Sequence, residues 1–159
     1  MGTLENVIKS RSKTFKTLIA AWVVLFLGLA AVGSPAFAAS IFCIQVVGGF
    51  PSEGSPVTLK QKGVGVVAST TIDEEGEYRF DVAAGTYKIV IKNVSVDGPT
   101  TVEGSLQVPE GTFSAGNPVK LKNVDTKAVR RTTTSDGNYT FAGVESGTYK
   151  IVIKNVVVP

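Results

Sequence analysis

Hydrophobic and polar positions alternate with period two wherever the chain beyond residue 38 is most regular. In GTYKIVIKN, Gly85–Asn93, the side chains of Tyr87, Ile89 and Ile91 alternate with Thr86, Lys88 and Lys92. That is the pattern of a strand with one face turned to a core. Val90 interrupts the polar side and is expected to stand exposed, as single surface valines do. Val57 and Leu59 alternate with Thr58 and Lys60, and Tyr78 and Phe80 flank Arg79. Ser69-Thr70-Thr71 and Thr132-Thr133-Thr134 add side chains that suit a pleated surface. Turn signals separate these runs at Glu75-Gly76, Ala84-Gly85, Asp136-Gly137 and Ser146-Gly147. Asp136-Gly137 predicts a type I′ hairpin, which needs positive φ at both central residues. Many short strands with frequent turns predict an all-β antiparallel sandwich.

The string GTYKIVIKN recurs at Gly147–Asn155, sixty-two positions on. The same shift aligns Ile44-Gln45-Val46 with Leu106-Gln107-Val108, and Pro56-Val57-Thr58-Leu59-Lys60 with Pro118-Val119-Lys120-Leu121-Lys122. One residue slips in the middle, so that Gly76-Glu77-Tyr78-Arg79-Phe80 meets Gly137-Asn138-Tyr139-Thr140-Phe141. The chain therefore divides into residues 1–38, a first module at 39–97 and a second at 98–159, joined by a turn-rich linker. The second copy stops at Val156-Val157-Val158-Pro159, where the first continues through VSVDGPTTVEG. A missing last strand would leave an open edge. Three outcomes answer it: a trimmed module packed on its twin, a neighbouring chain's Ser40–Val47 added as a strand, or a larger partner.

The order of the pieces, PVTLK…STTIDEEGEYRFDVAAGTYKIVI and PVKLK…RTTTSDGNYTFAGVESGTYKIVI, resembles carboxypeptidase regulatory-like domains. These are transthyretin-like sandwiches related to the Cna B-type repeats of bacterial surface proteins. The resemblance implies two tandem, seven-stranded Greek-key modules without catalysis. It also implies that Tyr87 and Tyr149, each after a Gly-Thr corner, are either tyrosine corners bonded to upstream backbone or plain core residues. Cna B-type modules often carry a Lys–Asn isopeptide bond promoted by a buried acid. Here the acid position falls on Ile91 and Ile153, so Lys60, Lys122, Asn93 and Asn155 are expected to remain unlinked.

Composition then narrows function. Met1–Ala38 reads as a targeting segment, with Lys9, Arg11, Lys13 and Lys16 before the apolar run Thr17–Gly33 and Ala36-Phe37-Ala38 at its end. Either it is a signal peptide cleaved after Ala38, or Leu18–Val32 is retained as a membrane-anchoring helix. Both place the rest outside the cytoplasm: extracellular, periplasmic or at the cell surface. The whole chain is +3, but residues 39–159 hold twelve basic and twelve acidic residues. Without a basic surplus, nucleic-acid binding is set aside. Histidine is absent and Cys43 is the single cysteine. No His-dependent triad and no intrachain disulfide can form, and a zinc site lacks its usual ligands. No catalytic, cofactor or metal residue is expected, and Cys43 reads as a buried small hydrophobe.

The modules differ in charge, −2 for residues 39–97 and +2 for 98–159. Asp73, Glu74 and Glu75 lie at a turn, and Arg130 and Arg131 stand where the first copy has Ser69 and Thr70 by the slipped alignment. These five residues are the candidate interaction surface, either as solvated loops or as opposite patches in head-to-tail contact. Asp73–Glu77 could also offer oxygens to Ca²⁺, although the spacing of a calcium loop is absent. Asn93-Val94-Ser95 and Asn138-Tyr139-Thr140 are formal glycosylation acceptors. The leading expectation is a non-enzymatic, exported structural or interaction protein of the envelope or exterior, with a protein partner or self-association. The alternatives are a membrane-anchored accessory subunit, a carbohydrate-binding module and a donor-strand filament subunit.

Overall fold

A computed structural model describes Ala39–Pro159, and Met1–Ala38, where the sequence leads one to expect a targeting segment, lies outside the described residues. The period-two segments form eleven strands: β1 (Ala39–Val47), β2 (Phe50–Pro51), β3 (Pro56–Gln61), β4 (Gly65–Thr71), β5 (Glu77–Val82), β6 (Gly85–Val96), β7 (Thr100–Gln107), β8 (Pro118–Asn123), β9 (Val129–Thr133), β10 (Asn138–Val144) and β11 (Gly147–Val158). They make two antiparallel sheets packed as a β-sandwich. The larger has the order β4-β3-β6-β11-β8-β9; the smaller runs β10-β7-β1, with β5 and the short β2 both on the far side of β1.

Both sheets contain strands from both repeats, and the described residues fall within one compact unit. The turn between β6 and β7 carries the repeat boundary at Asp97-Gly98, yet strands on either side of it share every layer. The duplicated string explains the joint. In the larger sheet, β6 pairs antiparallel with its own copy, β11, with Ile91 opposite Ile151, Val90 opposite Val152 and Ile89 opposite Ile153. Val90 and Val152 are equivalent residues, so a pseudo-twofold axis passes through their pair. The same axis passes between Cys43↔Leu106 and Ile44↔Ser105, where β1 meets β7 in the smaller sheet. Each residue thus meets the equivalent of its own partner, the arrangement of an isologous dimer joined within one chain. The open edge expected after Asn155 is closed by this pairing, because β11 lies between β6 and β8. The free edges of the larger sheet are β4 and β9.

The core runs unbroken across the axis. Val57, Leu59, Ile89, Ile91, Val119, Leu121, Ile151 and Ile153 of the larger sheet are buried at 1% exposure or less. They pack in one cluster with Ile41, Cys43, Tyr78, Phe80, Leu106, Tyr139 and Phe141 of the smaller sheet. Each fully buried branched side chain contributes about 1.5–3 kcal/mol of transfer free energy. Val90 departs from expectation. It lies on the outer face of the larger sheet and is only 4% exposed, because the pseudo-twofold sets it against Val152 among lysine stems.

Local chemistry is carried out twice. The Tyr87 hydroxyl donates to the Ala83 carbonyl at 2.9 Å, and the Tyr149 hydroxyl to the Glu145 carbonyl at 2.8 Å. Both are tyrosine corners. Asn93 and Asn155 take positive φ, 56° and 55°, where the β6–β11 register shifts. Asparagine tolerates that left-handed conformation better than most residues, which gives the shared string a reason to end in Lys-Asn. Asp136 and Gly137 have φ of 47° and 73°, and Ser135 and Asn138 exchange two backbone hydrogen bonds of 2.8 Å around them. The expected type I′ turn forms, but the strands it joins, β9 and β10, separate into different sheets.

Candidate interaction surface

Strand alternation decides which side chains leave the core. The six strands of the larger sheet carry nine basic residues and no acidic one. Eight of the nine project from its outer face. Lys60 stands opposite Lys88, Lys150 opposite Lys122, and Lys120 between Val152 and Arg131. Lys92 and Lys154 follow inward-facing Ile91 and Ile153, so they also point outward. The cations lie on five adjacent strands, which at about 4.8 Å apart make a cationic bed roughly 19 Å wide. The crowding is visible at Lys120, whose pKa is held below the ordinary lysine value by Lys154 first and Arg131 second. Four carbons of stem on each lysine also cover the central Val90–Val152 pair.

The strands of the smaller sheet carry Glu77, Asp81 and Glu103 against one cation, Arg79. Arg79 bridges Asp81 at 3.2 Å and Glu110 at 2.7 Å. Its neighbour Asp81 has its carboxyl held below the usual range by hydrogen bonds from Ser40 and Arg79. The net neutrality of residues 39–159 therefore averages over charges that the fold sorts onto different surfaces. Zero net charge describes the chain and not its faces.

The five residues picked from the sequence are not brought together. Asp73, Glu74 and Glu75 occupy the β4–β5 turn at one lateral edge of the larger sheet, and Arg130 and Arg131 lie on β9, the opposite edge. Asp73 is engaged locally: its Oδ1 accepts from the backbone N–H of Glu75 at 3.1 Å and of Glu77 at 2.7 Å. Arg130 lies on the core side of its strand. Its guanidinium sits 5.9 Å from the centroid of the Phe141 ring and donates to the Gly143 carbonyl at 3.2 Å, closing the flank of the sandwich. Arg131 alone joins the cationic face. The register also corrects the repeat alignment. Leu121 faces Arg130 as Leu59 faces Ala68, so the arginines replace Ala68 and Ser69, not Ser69 and Thr70, and the one-residue slip comes later, inside the 73–76 turn.

The remaining chemical candidates are placed as follows. Lys60 and Lys122 point outward, away from Ile91 and Ile153 in the core. Cys43 is fully buried, and burial pushes its thiol up to about 12, with the neighbouring Tyr78 hydroxyl opposing. Burial likewise raises Tyr78 and Tyr139. The Tyr139 hydroxyl donates to Gln45 Oε1, and Gln45 Nε2 donates to the Val46 carbonyl at 3.1 Å. Asn93 and Asn138 are exposed, the latter donating its side-chain N–H to the Asp136 carbonyl at 3.0 Å. Among the described residues no three carboxylate or thiol groups gather as a metal site.

Sequence reasoning missed the seven lysines of the face. Their signal was present in each strand, as the Lys positions of GTYKIVIKN and PVKLK on the polar side of the alternation. What one strand could not show was that four such strands, β3, β6, β11 and β8, lie side by side. No family model and no curated protein matches the chain.

Proposed function

We propose that this is a non-enzymatic, exported structural or interaction protein of the cell envelope or exterior, working by presenting a charged surface to a partner. The observation that carries the reading is the sorting of charge: eight outward cations on one sheet face, with no acid in any strand of that sheet. Crowding like charges disfavours the charged form of each lysine, and at Lys120 the neighbours Lys154 and Arg131 hold the pKa below the ordinary value. An anionic partner relieves that repulsion, and long-range attraction speeds its approach.

On the same reading, each repeat is one Greek-key module of the carboxypeptidase regulatory-like, transthyretin-like kind. The chain's path supports this: β1 and β5 go to the smaller sheet, β3, β4 and β6 to the larger, and β7 to β11 repeat the sequence of crossings. Two experiments test the proposal. Cell fractionation with N-terminal sequencing should find the chain exported, either starting at Ala39 or retaining its leader in the membrane fraction. Pull-down from native envelopes should lose its partners when Lys120, Lys150 and Lys154 are changed to Glu. A cytoplasmic protein, or identical partners for the charge-reversed variant, refutes it.

A further inference from the structure

The two ends of the sandwich are chemically unlike. The turns at one end carry seven acids, Glu53, Asp73, Glu74, Glu75, Asp97, Asp125 and Glu145, against two, Glu110 and Asp136, in the loops at the other. The other end holds the β3–β4 hairpin tip, Lys62-Gly63-Val64, closed by the Val64 N–H donating to the Gln61 carbonyl at 3.2 Å. Here branched apolar side chains face water: Val64 is 69% exposed, Val66 57% and Val157 59%. Lys60, Lys62, Lys88 and Lys154 line an open cleft of about 530 Å³ beside Val64, and no acidic residue contributes to its wall. Exposed valines ringed by lysines form the pattern of a segment that enters the headgroup layer of a bilayer.

The duplication supplies an internal comparison. The equivalent hairpin of the second repeat, β8–β9, lies at the acidic end because the pseudo-twofold reverses direction. Its tip reads Val124-Asp125-Thr126-Lys127 and is tied down: Asn123 Oδ1 accepts from the backbone N–H of Asp125 and Thr126 at 2.9 and 2.8 Å. One fold element thus carries Lys62 with widely exposed valines at one end, and at the other a self-bonded tip in which Asp125 is balanced by Lys127. The chain's direction agrees. Ala39 pairs with Val82, two residues before the Ala84-Gly85 turn, and the Lys62 N–H reaches the Thr86 carbonyl at 3.5 Å. β1 therefore begins at the same end as the exposed valines. Gly33, where the apolar run of the sequence closes, is six residues from Ala39, a reach of at most about 20 Å.

The geometry points to the β3–β4 tip as a docking site for an anionic lipid surface, with Val64 and Val66 entering the headgroup boundary and Lys60, Lys62, Lys88 and Lys154 holding lipid phosphates. The acidic end then faces away from the bilayer. This rests on the proposed exported interaction role and names its partner surface. It adds a contact separate from any anchoring by Leu18–Val32.

The test uses the full chain in two single-cysteine-labelled forms, Val64→Cys and, on the equivalent β8–β9 tip, Val124→Cys, each carrying an environment-sensitive fluorophore. Cys43 is buried and does not compete for label in the native state. The probes are vesicles of phosphatidylcholine alone, or with one third phosphatidylglycerol. The label at 64 should brighten several-fold and shift to the blue on anionic vesicles only, while the label at 124 stays unchanged. Each lysine near an anionic surface strengthens partitioning about five-fold, so changing all four to Gln should weaken the response several-hundred-fold. Thermal melting checks that this variant remains folded; Val64→Ser with Val66→Ser, labelled at Val157→Cys, provides a second route to the same loss. Equal responses at 64 and 124, or on neutral and anionic vesicles, overturn the proposal. So does a response to soluble polyphosphate that matches the vesicles, which would assign the cleft to a polymer. Failure here leaves export and the cationic face standing, because those are read by fractionation and pull-down.

Discussion

Changing Tyr139 to Phe removes one hydroxyl and should expose the cost of a buried, unpaired amide. Tyr139 is 2% exposed and Gln45 0%, and the Tyr139 hydroxyl is the donor that satisfies Gln45 Oε1. The ring itself fits because Gly104 lies beneath it; a Cβ on Gly104 would stand 2.7 Å from the Ile44 carbonyl oxygen and closer still to the Tyr139 ring. The Phe ring keeps that packing, so the loss is almost purely polar. Leaving a buried acceptor without a partner costs about 1–3 kcal/mol. In a domain of this size that lowers the melting temperature by roughly 5–10 °C. Urea unfolding should show a lower midpoint at an unchanged slope. The double variant Gln45→Leu with Tyr139→Phe removes both partners and should recover part of the loss, with a coupling above about 0.5 kcal/mol. A single variant costing under about 0.5 kcal/mol, with additive effects in the double, would refute the buried pair as a stabilising unit.

Further outcomes follow from the same geometry. Cys43, Tyr78 and Tyr139 all have folded pKa values raised above their unfolded ones, so their stabilisation is complete at neutral pH and is lost as pH rises past the unfolded values. The urea midpoint should stay flat from about pH 7 to 8.5 and then fall by about 1.4 kcal/mol per pH unit for each group that ionises on unfolding; Cys43→Ala should delay the onset to near pH 10. Asn155→Gly should leave stability nearly unchanged, whereas Asn155→Val should cost about 1–2 kcal/mol, because φ of 55° crowds a β-branched side chain. Arg130→Ala should cost about 0.5–1 kcal/mol through its contact with Phe141, and Arg131→Ala should stay within about 0.5 kcal/mol, both read by thermal melting. Native Cys43 should resist thiol reagents until urea unfolds the chain.

Much of the strand content was legible because it is written locally. Tyr87, Ile89 and Ile91 announce their common face by spacing alone, the two tyrosine corners follow from Gly-Thr-Tyr, and Asp136-Gly137 announces its turn. The candidate surface was much less legible. Asp73 and Arg130 stood out as charges in a neutral chain, but one is occupied with backbone N–H groups and the other with an aromatic ring. A charge count cannot separate a charge that holds the fold from one that faces water. Val90 misled for a related reason: its exposure depended on Val152, a residue sixty-two positions away.

By itself, the sequence determined the strands, their inward faces, the duplication, and the exclusion of histidine chemistry and intrachain disulfides. These depend on side-chain period, local turn stereochemistry and residue type. Only the tertiary structure decided that the two repeats share sheets about a pseudo-twofold axis, that their lysines fall on one face, and that Val64, Val66 and Val157 stand at the end away from most of the acidic turns. Those properties come from strand order and register, set by non-local hydrogen bonds and burial between segments far apart in the chain.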